Sequence, residues 1–394
     1  MTELLAAEAD APEARSLLGQ ARIRLAYTQS RSAGSQPDAA AQLAQAIQEL
    51  GDAESTERAW ALATYALVRN GAGEAEAARR LGAEALAMAR RVGEPATLAG
   101  VLFCAGIFHP VSEYPEENLG YAAELDRLCA GDTSIGEVVL GFRPWVASFV
   151  LAGDLLLCAG RSGEQEAYLA AARLRLGGSQ NPVENVMVHS LAARTRARRG
   201  DAESALEHGR QALEFASGLQ NLVMQTLALN TRGAALLAAG RFDEAADHIE
   251  RSIETGRSVS RPNAALSSLP LLAAIHLQRG DARAAIAAAE SGIELSRQFG
   301  YRHAEATNGL WLARAQIAAG DLANAESGIG RVAEQAAALG ARDLLPVIEE
   351  ARAELAQHRG DASGSEHALR AAARLHRENG DAWLAAQAEA RIAP

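Results

Sequence analysis

Residues 104–120, CAGIFHPVSEYPEENLG, bring Cys104, His109, Glu113, Glu116 and Glu117 into one short stretch. A thiol, an imidazole and carboxylates are the donor types that hold zinc. Their spacing matches neither HExxH nor paired CxxC. Two prolines, Pro110 and Pro115, read more simply as a break between helices, with Pro115, Glu116 and Glu117 opening the next one. Neither a metal nor a cofactor is expected.

Other reactive patterns are equally thin. The string GAGEAE at 71–76 fails the GxGxxG pattern, and no GxSxG elbow occurs. All 38 cationic residues are arginine. Without lysine there is no P-loop, no Schiff base and no Ser-Lys dyad. Cys104, Cys129 and Cys158 lie on apolar helical stretches and read as core thiols, and Glu349 and Glu350 as a solvated helix face. The chain is expected not to be an enzyme.

A net charge of −11, with arginines dispersed among more numerous acids, offers no basic face for nucleic acid. No apolar run approaches the length of a membrane span. An odd cysteine count without CxxC, and acids where a signal peptide would carry positive charge, suggest a reducing, cytoplasmic setting.

The pattern that does recur is architectural. Gly200, Gly240, Gly280, Gly320 and Gly360 stand forty residues apart, often followed by Asp. Seven residues before each come Ala193, Gly233, Ala273, Ala313 and Ala353; five after come Ala205, Ala245, Ala285, Ala325 and Ser365. Small residues at matched points on two successive helices allow close backbone approach, while Gly-Asp suits a turn that ends one helix and caps the next. A second mark, in QFGYR (298–302), ALGAR (338–342) and ENGDA (378–382), ends the second helix. Each unit is a two-helix hairpin, and its period is that of a solenoid. His208 and His248 share one place on successive second helices and read as surface positions.

Upstream the count loosens, with hairpins expected at 13–50, 54–92, 96–130 and 135–176. Within the last, Gly153-Asp154 is taken as the turn in preference to Gly160, with an irregular second helix near 160–163. The final helix, 381–392, is expected to cap the array. Trp60, Trp145, Trp311 and Trp383 read mainly as packing between repeats.

A small residue, a glycine seven later and an alanine five beyond, as in Ala273, Gly280 and Ala285, resemble the signature of the tetratricopeptide repeat (TPR). The forty-residue period resembles the longer repeats in the helical sensor regions of bacterial LuxR-type and adenylate-cyclase-linked signalling ATPases. The resemblance implies an all-α, right-handed α-solenoid of about nine antiparallel hairpins with a C-terminal cap. Residues 1–180 would form irregular N-terminal hairpins and 181–394 the regular repeats, in one continuous superhelix. It further implies a non-enzymatic scaffold that binds a protein or peptide in a concave groove, as a sensor or regulatory module. A homodimer through the N-terminal hairpins is possible.

Groove positions carried over from the family fall on Ser190, Arg194, Arg198, Asn230, Gln278, Thr307, Arg314 and His358. Trp311 joins them, flanked a turn away on each side by Asn308 and Arg314. Arginine and amide side chains there would clamp a peptide backbone or carboxylate. The alternatives are a small-molecule sensor with its ligand inside the superhelix and, more remotely, an enzyme on the same scaffold.

Overall fold

Two terminations meet at each recurring glycine. Gly200, Gly240, Gly280, Gly320 and Gly360 all take φ between 72° and 82°, a left-handed conformation that closes helix A and that a Cβ disfavours. The next amide reaches back five residues, Asp201 N to Arg196 O at 3.0 Å and Asp281 N to His276 O at 2.9 Å. Asp201, Asp281, Asp321 and Asp361 then accept from the amides of Ser204, Ala284, Asn324 and Gly364. Those amides are donors that the start of helix B leaves open.

The computed structural model describes residues 12–29, 36–106, 115–258 and 266–392. The described helices make nine hairpins, here α1 to α18, with odd numbers for helix A and even for helix B. The first four are α1 Pro12–Gln29 with α2 Gln36–Leu50, α3 Thr56–Gly71 with α4 Ala75–Val92, α5 Pro95–Ala105 with α6 Pro115–Cys129, and α7 Pro144–Cys158 with α8 Gln165–Leu176. The regular units follow as α9 Pro182–Arg198 with α10 Ala202–Ser217, α11 Leu222–Ala238 with α12 Phe242–Ser258, and α13 Leu269–Gln278 with α14 Ala282–Phe299. The last two pair α15 Arg302–Ala318 with α16 Leu322–Leu339, and α17 Leu344–His358 with α18 Ala362–Asn379; α19, Ala382–Ala390, is the cap.

The fourth hairpin corrects the reading of its turn. Gly153 and Asp154 lie inside α7, and Gly160, at φ 67°, makes the bend. A 3₁₀ turn at Ser162–Glu164 then leads into α8, so the irregularity expected within the second helix near 160–163 is instead the turn that precedes it. Gly153 instead holds the small position seven residues before the turn glycine: a Cβ there would come within 2.9 Å of the Leu191 methyls. Interhelical spacing, not turning, selects that glycine.

The small positions behave alike along the chain. Ala193, Gly233, Ala273, Ala313 and Ala353 are all buried, as are Ala205, Ala245, Ala285, Ala325 and Ser365. Helix A of most hairpins also packs on helix A of the next, as in α9–α11, α13–α15 and α15–α17, whereas successive B helices scarcely meet. The A helices therefore form the inner layer of the curve. One large apolar cluster runs from Ile23 to Ala192, and smaller ones hold the later hairpins. Trp60 lies in that cluster at 5.5 Å from the Tyr27 ring. Trp383 packs its indole on the Gly200 bend while keeping 42% of its surface exposed.

The superhelix also closes on itself. Turns of early hairpins rest on turns of hairpins about five units later. Tyr301 Oη donates to Asn70 Oδ1 at 3.2 Å, and the Phe299 ring lies over Gly73. Ser162 Oγ donates to Asn379 O at 2.8 Å, and Asn379 Nδ2 to Arg342 O at 3.3 Å. Arg198 holds Asp381 with two bonds of 2.7 and 2.6 Å, while Trp383 covers Gly200.

Two glycines separate the bend from the seam. Gly240 has nothing within 4 Å of an added Cβ, so Gly240→Ala should cost only the left-handed backbone strain, about 1–2 kcal/mol. At Gly200 the Cβ would overlap the Trp383 indole, so Gly200→Ala should cost about 1–3 kcal/mol more through overpacking. Urea unfolding of the two variants measures the difference; equal losses would mean that Trp383 does not seat on Gly200.

Candidate functional site

The groove positions sit on the inner A helices, and their register explains what each side chain does. Six residues before the turn glycines stand Asp154, Arg194, Arg314 and Glu354, which pair across successive hairpins. Arg194 Nη2 lies 2.7 Å from both Asp154 oxygens, and Arg314 forks onto Glu354 at 3.0 and 2.5 Å. Partly solvated pairs of this kind contribute about 0–1 kcal/mol each. Their larger effect is to fix the arginines in place. Arg314 also lies over the Trp311 ring, 4.8 Å from its centroid.

Ten residues before the glycines, Ser190, Asn230 and Leu310 are buried, whereas Pro270 and Glu350 are only partly so. Ser190 is fully buried, and Asn230 Nδ2 donates to Ser268 Oγ at 2.9 Å within a network that includes Ser252. Asn308 is likewise buried, donating to Ala304 O at 2.9 Å and lying against Gly292. Thr307 donates to His303 O at 2.9 Å. In this structure Ser190, Asn230 and Asn308 are taken up in the interior, while Thr307 is partly buried and bonds within its own helix.

The two-before row is more open. Gln278 and His358 are exposed, and Arg198 is tied to Asp381. Gln278, Trp311, Arg314 and His358 come together with Glu354 and Gln357 around one open depression of about 210 Å³, drawn from three successive A helices. Arg194 and Arg198 lie elsewhere, on α9. A larger cleft of about 710 Å³ lies at the seam between Gly73 and Phe299, lined by Arg69, Arg79, Arg80, Arg297 and Arg302 with Glu74 and Glu76. Sequence reasoning missed it because nothing in the spacing brings residues 69–80 to 297–302.

The chemistry considered at 104–120 falls partly outside the described residues, which exclude His109 and Glu113. Pro115 opens α6 with Glu116 and Glu117 in its first turn, while Cys104 and Cys129 are buried. Burial and the carboxylates of Asp126 and Asp132 push the Cys129 thiol up to about 11, which makes it a poor nucleophile at neutral pH. Glu350 departs from the solvated face expected of it: its carboxylate meets the buried His376 Nε2 at 2.9 Å. Burial opposes its charge, but that bond and the Arg314 and Arg391 guanidinium groups hold its carboxyl below the ordinary value.

His208 also departs from the surface role. Its Nδ1 lies 3.0 Å from His189 Nδ1, its Nε2 meets Arg173, and the His189 ring stacks on Phe215. Burial, then the charges of His208 and Arg173, lower His189 from 6.5 to about 4.

Among known proteins, residues 224–298 match the tetratricopeptide repeat family model. No curated protein sequence matches the chain. Of solved structures, a Rap protein complexed with competence and sporulation factor is 14% identical, covers 86% of this chain and 97% of its own, and has a TM-score of 0.52. The apo form of RapI is 13% identical, covers 92% and 98%, and has a TM-score of 0.51. A signal transduction ATPase with a tetratricopeptide repeat sensor from Pyrococcus horikoshii, 12% identical, covers 99% of this chain and 51% of its own with a TM-score of 0.39, too low to carry an argument. Identities this low speak for the fold alone. Among the described residues no helix is long and apolar enough to cross a membrane.

The histidine pair gives a pH test. Unfolded, His189 takes up a proton near 6.5; folded, only near 4. The unfolded chain binds more protons in between, so stability should fall as pH drops from about 6.5 to about 4. His189→Phe, which keeps an aromatic ring against Phe215, should flatten that fall in a melting-temperature series. An unchanged pH profile would contradict the neutral pair.

Proposed function

We infer, from a chain that is a TPR-like helical-repeat solenoid, that it works as a non-enzymatic interaction scaffold which takes a protein or peptide segment along its inner helices. The observation that carries this reading is the convergence of Gln278, Trp311, Arg314 and His358 from three successive A helices on one depression. An indole face, two hydrogen-bonding tips and a guanidinium match what a short extended peptide offers: an apolar side chain, backbone amides and carboxylates. The depression is open and smaller than the roughly 300 Å³ at which small-molecule pockets usually begin, which favours a peptide over an enclosed ligand. Since Arg314 is already engaged by Glu354, an incoming carboxylate must compete for it. Trp311, Gln278 and His358 therefore carry most of the recognition.

The Rap relative, solved with competence and sporulation factor, supports a regulatory role for this kind of scaffold. The wider proposal is a cytoplasmic sensor or regulatory module of a bacterial signalling or transcription system. Within it, residues 181–394 would present the binding face, and residues 1–180 would form the irregular N-terminal part and a possible dimer surface.

Peptides selected on the wild-type chain from a random displayed library provide the test, with affinities measured by fluorescence anisotropy. A Gln278→Ala, Trp311→Ala, His358→Ala triple variant should bind them at least about tenfold more weakly, since central aromatic anchors commonly contribute 2 kcal/mol or more. Equal affinity for every selected peptide would remove the site from the groove.

A further inference from the structure

The closing seam gathers a set of side chains that sequence spacing kept apart. Cys158 ends α7, two residues before the Gly160 bend, in the same register as Arg198, Gln278 and His358. Across the seam stand His303, in the first turn of α15, and Asp343, immediately before α17. One donor atom from each, sulfur, ring nitrogen and carboxylate oxygen, lies within 4.8 Å of the others. His303 Nε2 is 3.1 and 3.0 Å from the two Asp343 oxygens. His303 and Asp343 keep 11% and 19% of their side chains exposed, and Cys158 is partly exposed, so an ion has a way in.

We propose that Cys158, His303 and Asp343 form a binding site for a divalent transition-metal ion of the zinc class, which pins the fourth hairpin to the eighth and ninth and so locks the superhelix closed. The donor set mixes one soft sulfur, one imidazole and one hard oxygen, which suits Zn²⁺ and leaves a fourth tetrahedral position for water. Zinc–ligand bonds of about 2.0–2.3 Å place ligand atoms about 3.5 Å apart. Atoms already within 4.8 Å need side-chain movement of about 1 Å to meet that geometry.

Charge points the same way. A thiolate and a carboxylate together balance one divalent ion, leaving a neutral site with neutral His303. A thiol that ligates the ion does so as thiolate, so binding should release a proton.

Titrating the full, reduced chain with Co²⁺ alone tests this. Expected is a thiolate-to-cobalt charge-transfer band that saturates at one equivalent, is displaced by Zn²⁺, disappears in Cys158→Ser and persists in a Cys104→Ala, Cys129→Ala variant. Zn²⁺ alone should raise the melting temperature of the wild type, increasingly with free ion, and leave that of Cys158→Ser unmoved. No charge-transfer band in the wild type, or one that survives Cys158→Ser, would overturn the site. Should Cys158→Ser fail to fold, His303→Gln and Asp343→Asn carry the test. Each should weaken Co²⁺ binding about tenfold or more, and unchanged affinity in both would overturn the site equally.

Discussion

The molecule depends on glycine-to-turn contacts along one seam, where the chain meets itself five hairpins on. At Gly73, Gly200 and Gly380 a Cβ would collide with Phe299, Trp383 and Gly163 respectively. The chain can close only because nothing larger than hydrogen stands at those bends. Closure brings Arg198 to Asp381, a carboxylate only 5% exposed. Removing the arginine alone would leave a buried charge unpaired, a loss on the order of 3–5 kcal/mol. The seam is therefore held by a contact that is hard to break halfway.

A simple solenoid is nearly one-dimensional, each repeat touching only its neighbours. Contacts such as Tyr301 to Asn70 and Ser162 to Asn379 add long-range terms, so hairpins two to five and seven to nine gain stability from one another. They also hold the curvature of the inner face constant, which keeps Gln278, Trp311 and His358 at fixed spacing. The binding surface proposed there, drawn from three helices, needs that rigidity more than it needs any single strong contact.

Much of this was legible in the chain. The forty-residue count and its flanking small residues are local, because bend, cap and helix approach are each set by residues within a dozen positions. The turn of the fourth hairpin was misread because Gly-Asp at 153–154 imitates a bend, while Gly160 lacks the following Asp. The count itself favoured Gly160, and following it would have placed Cys158 in the groove register. Pairings of Arg194 with Asp154 and of Arg314 with Glu354 follow from equal register and opposite charge. The seam was not legible. Its partners depend on how a small rotation per repeat accumulates over five units, and no short stretch of sequence records that angle.

Distance across the seam is the most direct measure of closure. Spin labels attached by chemistry that spares the native cysteines, at the exposed positions Arg199 and Gln387, would report on the docking of α19 against the end of α9. A closed superhelix gives one short, narrow distance distribution in solution. A long or broad distribution in the unmodified background would mean that the two ends stand apart, and the account of a self-closing solenoid would fail.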